Sequence, residues 1–164
     1  MPNDPNSPKY DALVTLASRI KDLDGPALAA SLDVLQTASA IRQLLHERFH
    51  RNRMSEGRFT VLALLLSAPD WSMTPSELAS ASGVTRATMT GLLDGLEQTR
   101  LVERRASRED RRKITVHLTR EGRERTLELA PDYFAVLCAV GGALPETRRT
   151  TLTDLLAHLR ESAT

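Results

Sequence analysis

The chain has 164 residues, of which 41% are hydrophobic, 26% charged and 4% aromatic, a composition that excludes a disordered chain and indicates a globular one. Its length suits one domain or two small lobes, and no apolar run approaches the roughly 20 residues that span a bilayer. The 22 basic and 21 acidic residues give a net charge of +1, and the single cysteine excludes an intramolecular disulfide. We therefore expect a cytoplasmic protein without a membrane partner.

The first third of the chain is predicted to be helical. Residues 1–8 contain three prolines and are expected to form a disordered lead-in. A short apolar periodicity follows and stops at Gly25-Pro26. Beyond it, apolar residues recur at spacings of three and four, which is typical of one long amphipathic helix. These residues are Leu28, Leu32, Leu35, Ala38, Ile41, Leu45 and Phe49.

The middle of the chain predicts three helices with clear start signals. Ser55 is a plausible N-cap for the first of them. Thr74 and Glu77 form a capping box for the second, a short helix that Gly83 ends. After a tight turn, Thr85 is the predicted cap of the third helix.

The hydrophobic period then changes from 3.6 to 2, which predicts a β-hairpin. Val102 would lie in the first strand, and the alternating Ile114, Val116 and Leu118 in the second. Residues 100–113 carry seven basic against three acidic side chains. The loop between the strands is therefore polar and arginine-rich, and it cannot belong to a core.

Two further helices are predicted to complete the chain. Thr119 caps the first, which Pro131 should kink or divide and Gly141-Gly142 should end. Cys138 lies in an apolar stretch of this helix and is expected to pack in a core. The apolar stripe of the last helix consists of Leu152, Leu155, Leu156 and Leu159.

Two capped helices separated by a tight turn and followed by a basic hairpin describe a winged helix-turn-helix. In this fold the second helix enters the major groove of DNA, and its N-terminal turn faces the base edges. Arginine binds guanine bidentately, and threonine offers a hydroxyl and a methyl group, so the residues of this turn suit the task. The predicted DNA-binding residues of this helix are Thr85, Arg86, Thr88 and Thr90.

The hairpin tip is predicted to follow the DNA backbone, with one arginine in the adjacent minor groove. Its arginines are Arg108, Arg111 and Arg112. A carboxylate in such a loop would repel phosphate, yet Asp110 makes sense if it holds the guanidinium of Arg112 in a fixed orientation. Asp110 is therefore included among the predicted DNA-binding residues.

Residues 74–124 resemble the DNA-binding core of the MarR family of winged helix-turn-helix regulators. The most specific part is REDRRKITVHLTREG. It carries the family's wing pattern, which is Asp110-x-Arg112, then a strand that ends in Leu-Thr at Thr119, then Gly122 three residues later.

The resemblance implies a mainly α fold with a small β-hairpin wing. Residues 9–54 and 120–164 would form the N- and C-terminal dimerisation helices, and residues 55–119 the DNA-binding lobe. It also implies a homodimer that binds a pseudo-palindromic operator in double-stranded DNA, usually as a repressor, and leaves it when a small aromatic or phenolic anion binds. The family usually has glycine at the position of Arg100, where a left-handed residue ends the second helix.

The stretch HERFH, from His46 to His50, matches the zinc-protease pattern H-E-x-x-H. No recognisable third ligand follows, so we expect no metal, no cofactor and no enzymatic activity. A regulatory metal site at His46 and His50 and a zinc hydrolase are the alternatives.

By the resemblance, the end of the long helix faces an effector cleft, where His46, His50 and Arg53 would form a basic rim and Trp71 would line the pocket. A solvated helix end and a loop-filling tryptophan are the other interpretations.

Overall fold

A computed structural model describes residues 8–106 and 114–163. These residues form seven α-helices, one short 3-10 turn and three short β-strands, so the predicted mainly α fold with a small hairpin is confirmed. The helices are α1 Pro8–Ala17, α2 Gly25–Arg51, α3 Glu56–Ser67, α4 Pro75–Ser82, α5 Arg86–Gln98, α6 Arg120–Gly142 and α7 Glu146–Ser162. The strands are β1 Ser72–Met73, β2 Val102–Ala106 and β3 Ile114–Leu118.

The three strands form one antiparallel sheet in the order β1-β3-β2. The register pairs Val102 with Leu118 and Ala106 with Ile114, which confirms the predicted hairpin. β1 was not predicted. Its two residues pair with the middle of β3, and a strand of two residues is too short to show an alternating pattern.

The chain divides into two compact units, to which α2 and α6 both contribute. The first unit comprises Met1–Glu47 and Val136–Thr164, and the second comprises Arg48–Ala135. The predicted DNA-binding lobe, residues 55–119, lies within the second unit. Within the part of the chain that the structure describes, no single helix is long and apolar enough to cross a membrane, and α6 and α7 meet those criteria only as a bent pair.

The first unit consists of helices and buries Leu32 and Leu45. Among its described residues, many large apolar side chains remain exposed. They are Leu13, Val14, Leu16, Ile20, Leu23, Val34, Leu35, Leu44, Leu152, Leu155 and Leu159. The predicted stripe of α2 is therefore only partly covered in a single chain. The expectation that Cys138 packs in a core is wrong, because the thiol is exposed. As on α2, an apolar stretch of the helix is not covered within a single chain.

The second unit contains the main hydrophobic core. Leu62, Leu65, Leu78, Leu93 and Leu96 are among its fully buried side chains. They come from α3, α4 and α5, so the core fixes these three helices against one another.

An aromatic cluster closes one side of this core. The ring of Phe49 lies 5.0 Å from that of Phe59 and 5.6 Å from that of Tyr133, measured between centroids. Burial raises the pKa of the Tyr133 phenol, and the nearby carboxylate of Glu56 adds to the shift. Phe49, the fourth letter of HERFH, is therefore a core residue.

The predicted starts of the middle helices are confirmed. Ser55 Oγ accepts a hydrogen bond from the backbone N–H of Arg58 at the start of α3. Thr74 and Glu77 form both hydrogen bonds of a capping box, and Gly83 ends α4 with a φ of 65°, which glycine adopts without strain.

The structure corrects one predicted helix end and decides between two predicted effects of a proline only in part. Gly25 and Pro26 begin α2 instead of ending the preceding helix, because Asp24 Oδ1 accepts a hydrogen bond from the N–H of Ala27 and caps the new helix. Pro131 lies inside α6 and does not divide it, since the helix runs on to its predicted end at Gly142. A kink at Pro131, the other effect expected of this proline, stays a prediction.

Arg100 takes the left-handed conformation that the family pattern assigns to this position, with a φ of 59°. The N–H of Arg100 binds the carbonyl of Glu97, and the N–H of Leu101 binds that of Leu96, which are the two hydrogen bonds of a Schellman motif. An arginine in this conformation is strained because its Cβ approaches the following carbonyl group.

Replacing Arg100 by glycine is expected to raise the free energy of unfolding by about 1 kcal/mol, since glycine takes a positive φ without this strain. Urea denaturation followed by circular dichroism measures the change. The matched control is Gln98→Gly, two residues earlier in the regular helix, which should lower the stability by about 1 kcal/mol. If Arg100→Gly destabilises as Gln98→Gly does, the left-handed turn is not strained.

Candidate nucleic-acid interface

α4 and α5 are joined by a tight turn that the sequence fixes locally. The backbone N–H groups of Gly83 and Val84 both bind the carbonyl of Ala79, which closes the C-terminus of α4. Thr85 then caps α5, its hydroxyl accepting a hydrogen bond from the N–H of Thr88 at 3.1 Å. The turn therefore sets the direction in which the first residues of α5 point.

The predicted DNA-binding residues of α5 are all exposed. The hydroxyls of Thr85 and Thr88 lie 2.9 Å apart and bind each other, and the hydroxyl of Thr90 donates to the carbonyl of Arg86 at 3.0 Å. Thr90 and one of Thr85 and Thr88 therefore use their hydroxyl donors within the helix. The three threonines present their methyl groups and remaining lone pairs to solvent, and one of Thr85 and Thr88 also keeps an O–H donor.

Arg86 is the first residue of α5 and is exposed. Within residues 8–106 and 114–163, its guanidinium has no hydrogen-bond or ion-pair partner. It lies on the wall of an open groove of about 650 Å³ between the first turn of α4, α5 and the start of β3. Such a guanidinium keeps all of its donors available for an acceptor that enters the groove.

Among the described residues that line the same groove, Glu77 provides the one carboxylate. Hydrogen bonds from the backbone N–H of Thr74 at 2.7 Å and from its hydroxyl at 2.9 Å hold the Glu77 carboxylate and lower its pKa. The negative charge is thus placed on the N-terminus of α4, where the helix dipole offsets it.

Arg104 links the hairpin to α5, and the sequence pattern did not reveal this role. Its guanidinium binds Asp94 at 2.7 Å and Glu97 at 2.8 Å, and its backbone N–H binds a carboxylate oxygen of Glu97 at 3.2 Å. Asp94 and Glu97 are three residues apart and therefore share one face of α5. The network holds strand β2, and with it the base of the wing, against the helix that is predicted to read DNA.

Arg104→Met is expected to lower the free energy of unfolding by about 1 kcal/mol, because two carboxylates on one helix face lose their shared cation. It should also weaken DNA binding, since the wing is no longer held against α5. Urea denaturation and fluorescence anisotropy with labelled duplex measure the two effects. Arg120→Met, which removes an exposed arginine paired with Glu124, is the control and should change neither. Unaltered DNA affinity in Arg104→Met would show that the network does not position the wing.

His117 lies in β3, and its Nε2 is 2.9 Å from the hydroxyl of Thr115. Burial lowers the pKa of His117, and the positive charge of Arg105 lowers it further, against the opposing effect of Glu103. Arg105 and Glu103 also form an ion pair on the neighbouring strand. His117 is therefore a neutral part of the sheet at pH 7.

The remaining predicted DNA contacts, Arg108, Asp110, Arg111 and Arg112, lie outside the described residues. The two strands that flank them are described, and the register of Ala106 with Ile114 fixes where this loop begins and ends. The contacts assigned to these four residues stay predictions.

The predicted effector residues are distributed over several elements. His46 and His50 lie on the last turns of α2, and Arg53 follows in the next turn with a φ of 53°. Trp71 is exposed, and the guanidinium of Arg123 lies over its ring, 4.7 Å from the ring centroid. Arg53 lines a cavity of the second unit whose walls do not include Trp71.

In the described part of the chain, no three histidine, cysteine, aspartate or glutamate side chains gather in a group that could hold a metal ion.

Comparison with known sequences identifies relatives along nearly the whole chain. The profile of the MarR family matches residues 54–113. The HTH-type transcriptional repressor YetL of Bacillus subtilis is 34% identical over 154 residues, which cover 94% of this chain and 92% of that protein. The transcriptional repressor MprA of Escherichia coli K12 is 29% identical over 143 residues, covering 87% and 81% of the two chains.

Solved structures share the fold. Sco3205, a MarR family transcriptional regulator from Streptomyces coelicolor in complex with DNA, superposes with a TM-score of 0.78 at 21% identity, covering 88% of this chain and 91% of that one. The MepR–DNA complex of Staphylococcus aureus gives a TM-score of 0.74 at 18% identity, covering 80% and 96%. The family profile, the shared fold and the 34% sequence identity with YetL over nearly the full length of the chain lead to one conclusion. The chain belongs to the MarR family of winged helix-turn-helix transcriptional regulators, which are DNA-binding proteins and not enzymes.

Proposed function

We propose that this regulator is a cytoplasmic homodimeric repressor that binds a pseudo-palindromic operator in double-stranded DNA and leaves it when a small anionic effector binds. The observation that carries the proposal is the exposed Arg86 at the start of α5, on the wall of an open groove, whose guanidinium pairs with no other described residue. A helix that begins with available donors and a positive dipole end is suited to base edges and phosphates.

In the proposed complex, α5 lies in the major groove. Arg86 binds a guanine through two hydrogen bonds, and the methyl groups of Thr88 and Thr90 contact thymine. Thr85 acts mainly as the cap that fixes this turn, which its hydrogen bonds to Thr88 support.

The wing supplies the phosphate contacts in this proposal. Arg108 and Arg111 follow the backbone, and Arg112 enters the minor groove with its guanidinium held by Asp110. The ion-paired base of the wing at Arg104 supports a fixed position of the hairpin relative to α5.

Asp110→Asn is expected to weaken DNA binding about threefold to tenfold, because Arg112 loses its orienting carboxylate and more rotamer entropy is lost on binding. Removing a negative charge near phosphate would otherwise strengthen binding, so the sign of the effect is diagnostic. Fluorescence anisotropy measures the affinity of the wild type, Asp110→Asn, Arg112→Ala and the double variant. Tighter binding by Asp110→Asn, or fully additive effects in the double variant, would contradict the pairing of Asp110 with Arg112.

The exposed apolar side chains of the first unit support the homodimer. A soluble monomer does not leave so many leucines of neighbouring helices in water, and residues 9–54 and 120–164 are the proposed dimerisation helices. A second copy that covers this surface would fix the distance between the two α5 helices, as binding to two half-sites requires.

The effector is proposed to act on that distance. The basic end of α2, with His46, His50 and Arg53, would attract an anion, and Trp71 offers an aromatic surface. A shift of a few ångströms between the two α5 helices would remove one half-site from its groove without unfolding either subunit.

The proposed function is tested by selecting bound sequences from a random duplex pool with the purified full-length protein. The expected result is an inverted repeat whose half-sites are centred about 10 base pairs apart, or a multiple of that distance, bound by two chains per duplex in analytical ultracentrifugation. A pool that shows no enrichment, or a protein that stays monomeric at micromolar concentration, would refute the proposal.

A further inference from the structure

Thr119 lies between the end of β3 and the start of α6 and is partly buried. Its hydroxyl oxygen accepts a hydrogen bond from the backbone N–H of Gly122 at 2.9 Å, so Thr119 caps α6 as the sequence predicts. The same hydroxyl donates to the carbonyl of Arg100 at 2.8 Å and lies 3.1 Å from the carbonyl of Leu101, so that its one proton is shared between them. The side chain therefore makes contacts that a helix cap does not need.

These additional contacts join distant parts of the chain. The two carbonyls lie 19 and 18 residues before Thr119, whereas the hydroxyls of Thr74 and Thr85 bind groups three residues away. Arg100 follows α5, and Leu101 leads into β2. We propose that Thr119 is a positioning residue for DNA binding, whose hydroxyl holds the end of α5 to the base of the wing without contacting DNA itself.

The connection that Thr119 holds contains a strained residue. Arg100 has a φ of 59°, a conformation that is unfavourable for a residue with a side chain. Such a conformation persists only where the surrounding contacts determine it. The N–H groups of Arg100 and Leu101 bind back to carbonyls of α5, and the hydroxyl of Thr119 binds the carbonyl of Arg100 from the other side. The left-handed turn is thus held at both ends.

The start of α6 lies directly against this turn. The N–H of Thr119 binds the carbonyl of Leu101 at 3.1 Å. Gly122 is buried, and a Cβ atom there would overlap with the same carbonyl oxygen and come within 2.9 Å of Leu118 Cδ1. Because this contact leaves no free space, a change in the side chain at position 119 is transmitted to Arg100 and Leu101.

Thr119 and Arg104 fix the hairpin at two separate points. Arg104 binds Asp94 and Glu97 on one face of α5, and Thr119 binds the residue that follows the end of the same helix. A single point of attachment would leave the hairpin free to rotate about it, whereas two points define its direction relative to α5. The hydrogen bonds of Thr119 are uncharged, so salt screens them less than the ion pairs of Arg104.

The consequence for DNA binding follows from the geometry of the fold. An operator requires α5 in the major groove and the wing on the neighbouring backbone at the same time. If the junction loosens, only a fraction of the molecules has this arrangement, and the apparent affinity falls by that fraction. Binding to random duplex depends mainly on phosphate contacts and tolerates more arrangements. This consequence rests on the proposed function, whereas the fixed junction itself does not.

Three substitutions separate the junction from the cap. Thr119→Ser keeps both the acceptor and the O–H donor. Thr119→Asp keeps an acceptor that caps a helix at least as well as threonine, so α6 should stay folded, but it has no proton to donate to the two carbonyls. Thr119→Val removes the acceptor and the donor. Arg120→Gln is the charge control, because it lowers the net charge as Thr119→Asp does, at the adjacent exposed residue.

Fluorescence anisotropy measures the affinity of these variants for the selected operator and for random duplex. We expect Thr119→Ser and Arg120→Gln to bind the operator within about twofold of the wild type. Thr119→Asp and Thr119→Val should bind it at least about tenfold more weakly, and random duplex less than about threefold more weakly. Operator binding by Thr119→Asp that equals that of Thr119→Ser would show that Thr119 is only a cap and would overturn the proposal. Equal losses on operator and random duplex would also overturn it.

Amide hydrogen exchange without DNA distinguishes a failure of this proposal from a failure of the proposed function. The N–H groups of Arg100 and Leu101 should exchange at least about tenfold faster in Thr119→Asp than in the wild type and Thr119→Ser, because the turn opens more often. Unchanged exchange at both positions in Thr119→Asp would refute the fixed junction, whether or not the wild type binds DNA.

Discussion

Gly122→Ala is expected to lower the free energy of unfolding by about 3 kcal/mol, the upper end of the cost of overpacking a core. A Cβ atom at this position would overlap with the backbone carbonyl oxygen of Leu101 and come within 2.9 Å of Leu118 Cδ1. The carbonyl cannot easily move, since it accepts hydrogen bonds from the N–H and the hydroxyl of Thr119, each at 3.1 Å. The start of α6 must therefore shift away from the base of the hairpin.

Urea denaturation followed by circular dichroism measures this loss of stability. Gly91→Ala is the matched control, because a Cβ atom there meets no other group within 4 Å. It replaces a glycine inside α5 and should raise the stability by about 0.5–1 kcal/mol. A Gly122→Ala variant as stable as the wild type would show that α6 and Leu101 are not in the close contact described.

Arg86→Ala is expected to lower the affinity for the selected operator by about 1–3 kcal/mol per half-site, the discrimination that a bidentate arginine–guanine pair provides. Binding to random duplex should change much less, because phosphate contacts elsewhere supply most of it. The expectation depends on the exposure of the Arg86 guanidinium at the start of α5, where no other described residue pairs with it.

Fluorescence anisotropy with the operator and with single base-pair variants of it separates the two roles of Arg86. The wild type should lose affinity when the contacted guanine is replaced, and Arg86→Ala should be indifferent to that replacement. Arg120→Ala removes the same charge from an exposed site paired with Glu124 and should keep the wild-type preference. Equal losses on operator and random duplex in Arg86→Ala would mean that Arg86 contacts only phosphate.

The elements that the sequence predicted well depend on local interactions. Thr74 with Glu77, Gly83 and Thr85 each act within a few residues of the chain, so their residue types and spacing are sufficient evidence for helix ends. The hairpin was predictable for the same reason, since the alternation from Ile114 to Leu118 follows directly from the period of a strand.

The features that the sequence did not reveal depend on contacts between distant residues. Nothing in the pattern places Arg104 between Asp94 and Glu97, because the pairing requires the packing of β2 against α5. The close approach of the Arg58 guanidinium to the backbone at Gly95 has the same origin, since it requires the packing of α3 against α5. Apolar periodicity also identifies the apolar face of a helix but not what covers that face. The sequence therefore could not show that Leu35 and Cys138 are exposed in a single chain.

HERFH shows how a short motif misleads when it is read alone. The pattern of a zinc protease needs two histidines and a glutamate, and this stretch has them. Phe49, at one of the two positions that the pattern leaves open, packs against Phe59 and Tyr133 in the core of a regulator. The spacing of three and four that places both histidines on one face of α2 also places Leu45 and Phe49 on its buried face.

The salt dependence of DNA affinity tests the central claim most directly. The affinity of the wild-type protein for its selected operator is measured between about 50 and 200 mM salt, over which a protein that contacts 6–10 phosphates loses roughly 10³–10⁵ in affinity. Our account predicts a steep linear fall of log affinity with log salt. For Arg112→Ala it predicts a shallower slope, by about one unit for each phosphate that the variant no longer binds. An affinity that hardly changes with salt, or no binding to any duplex, would contradict the assignment of α5 and the basic wing as a DNA-binding surface.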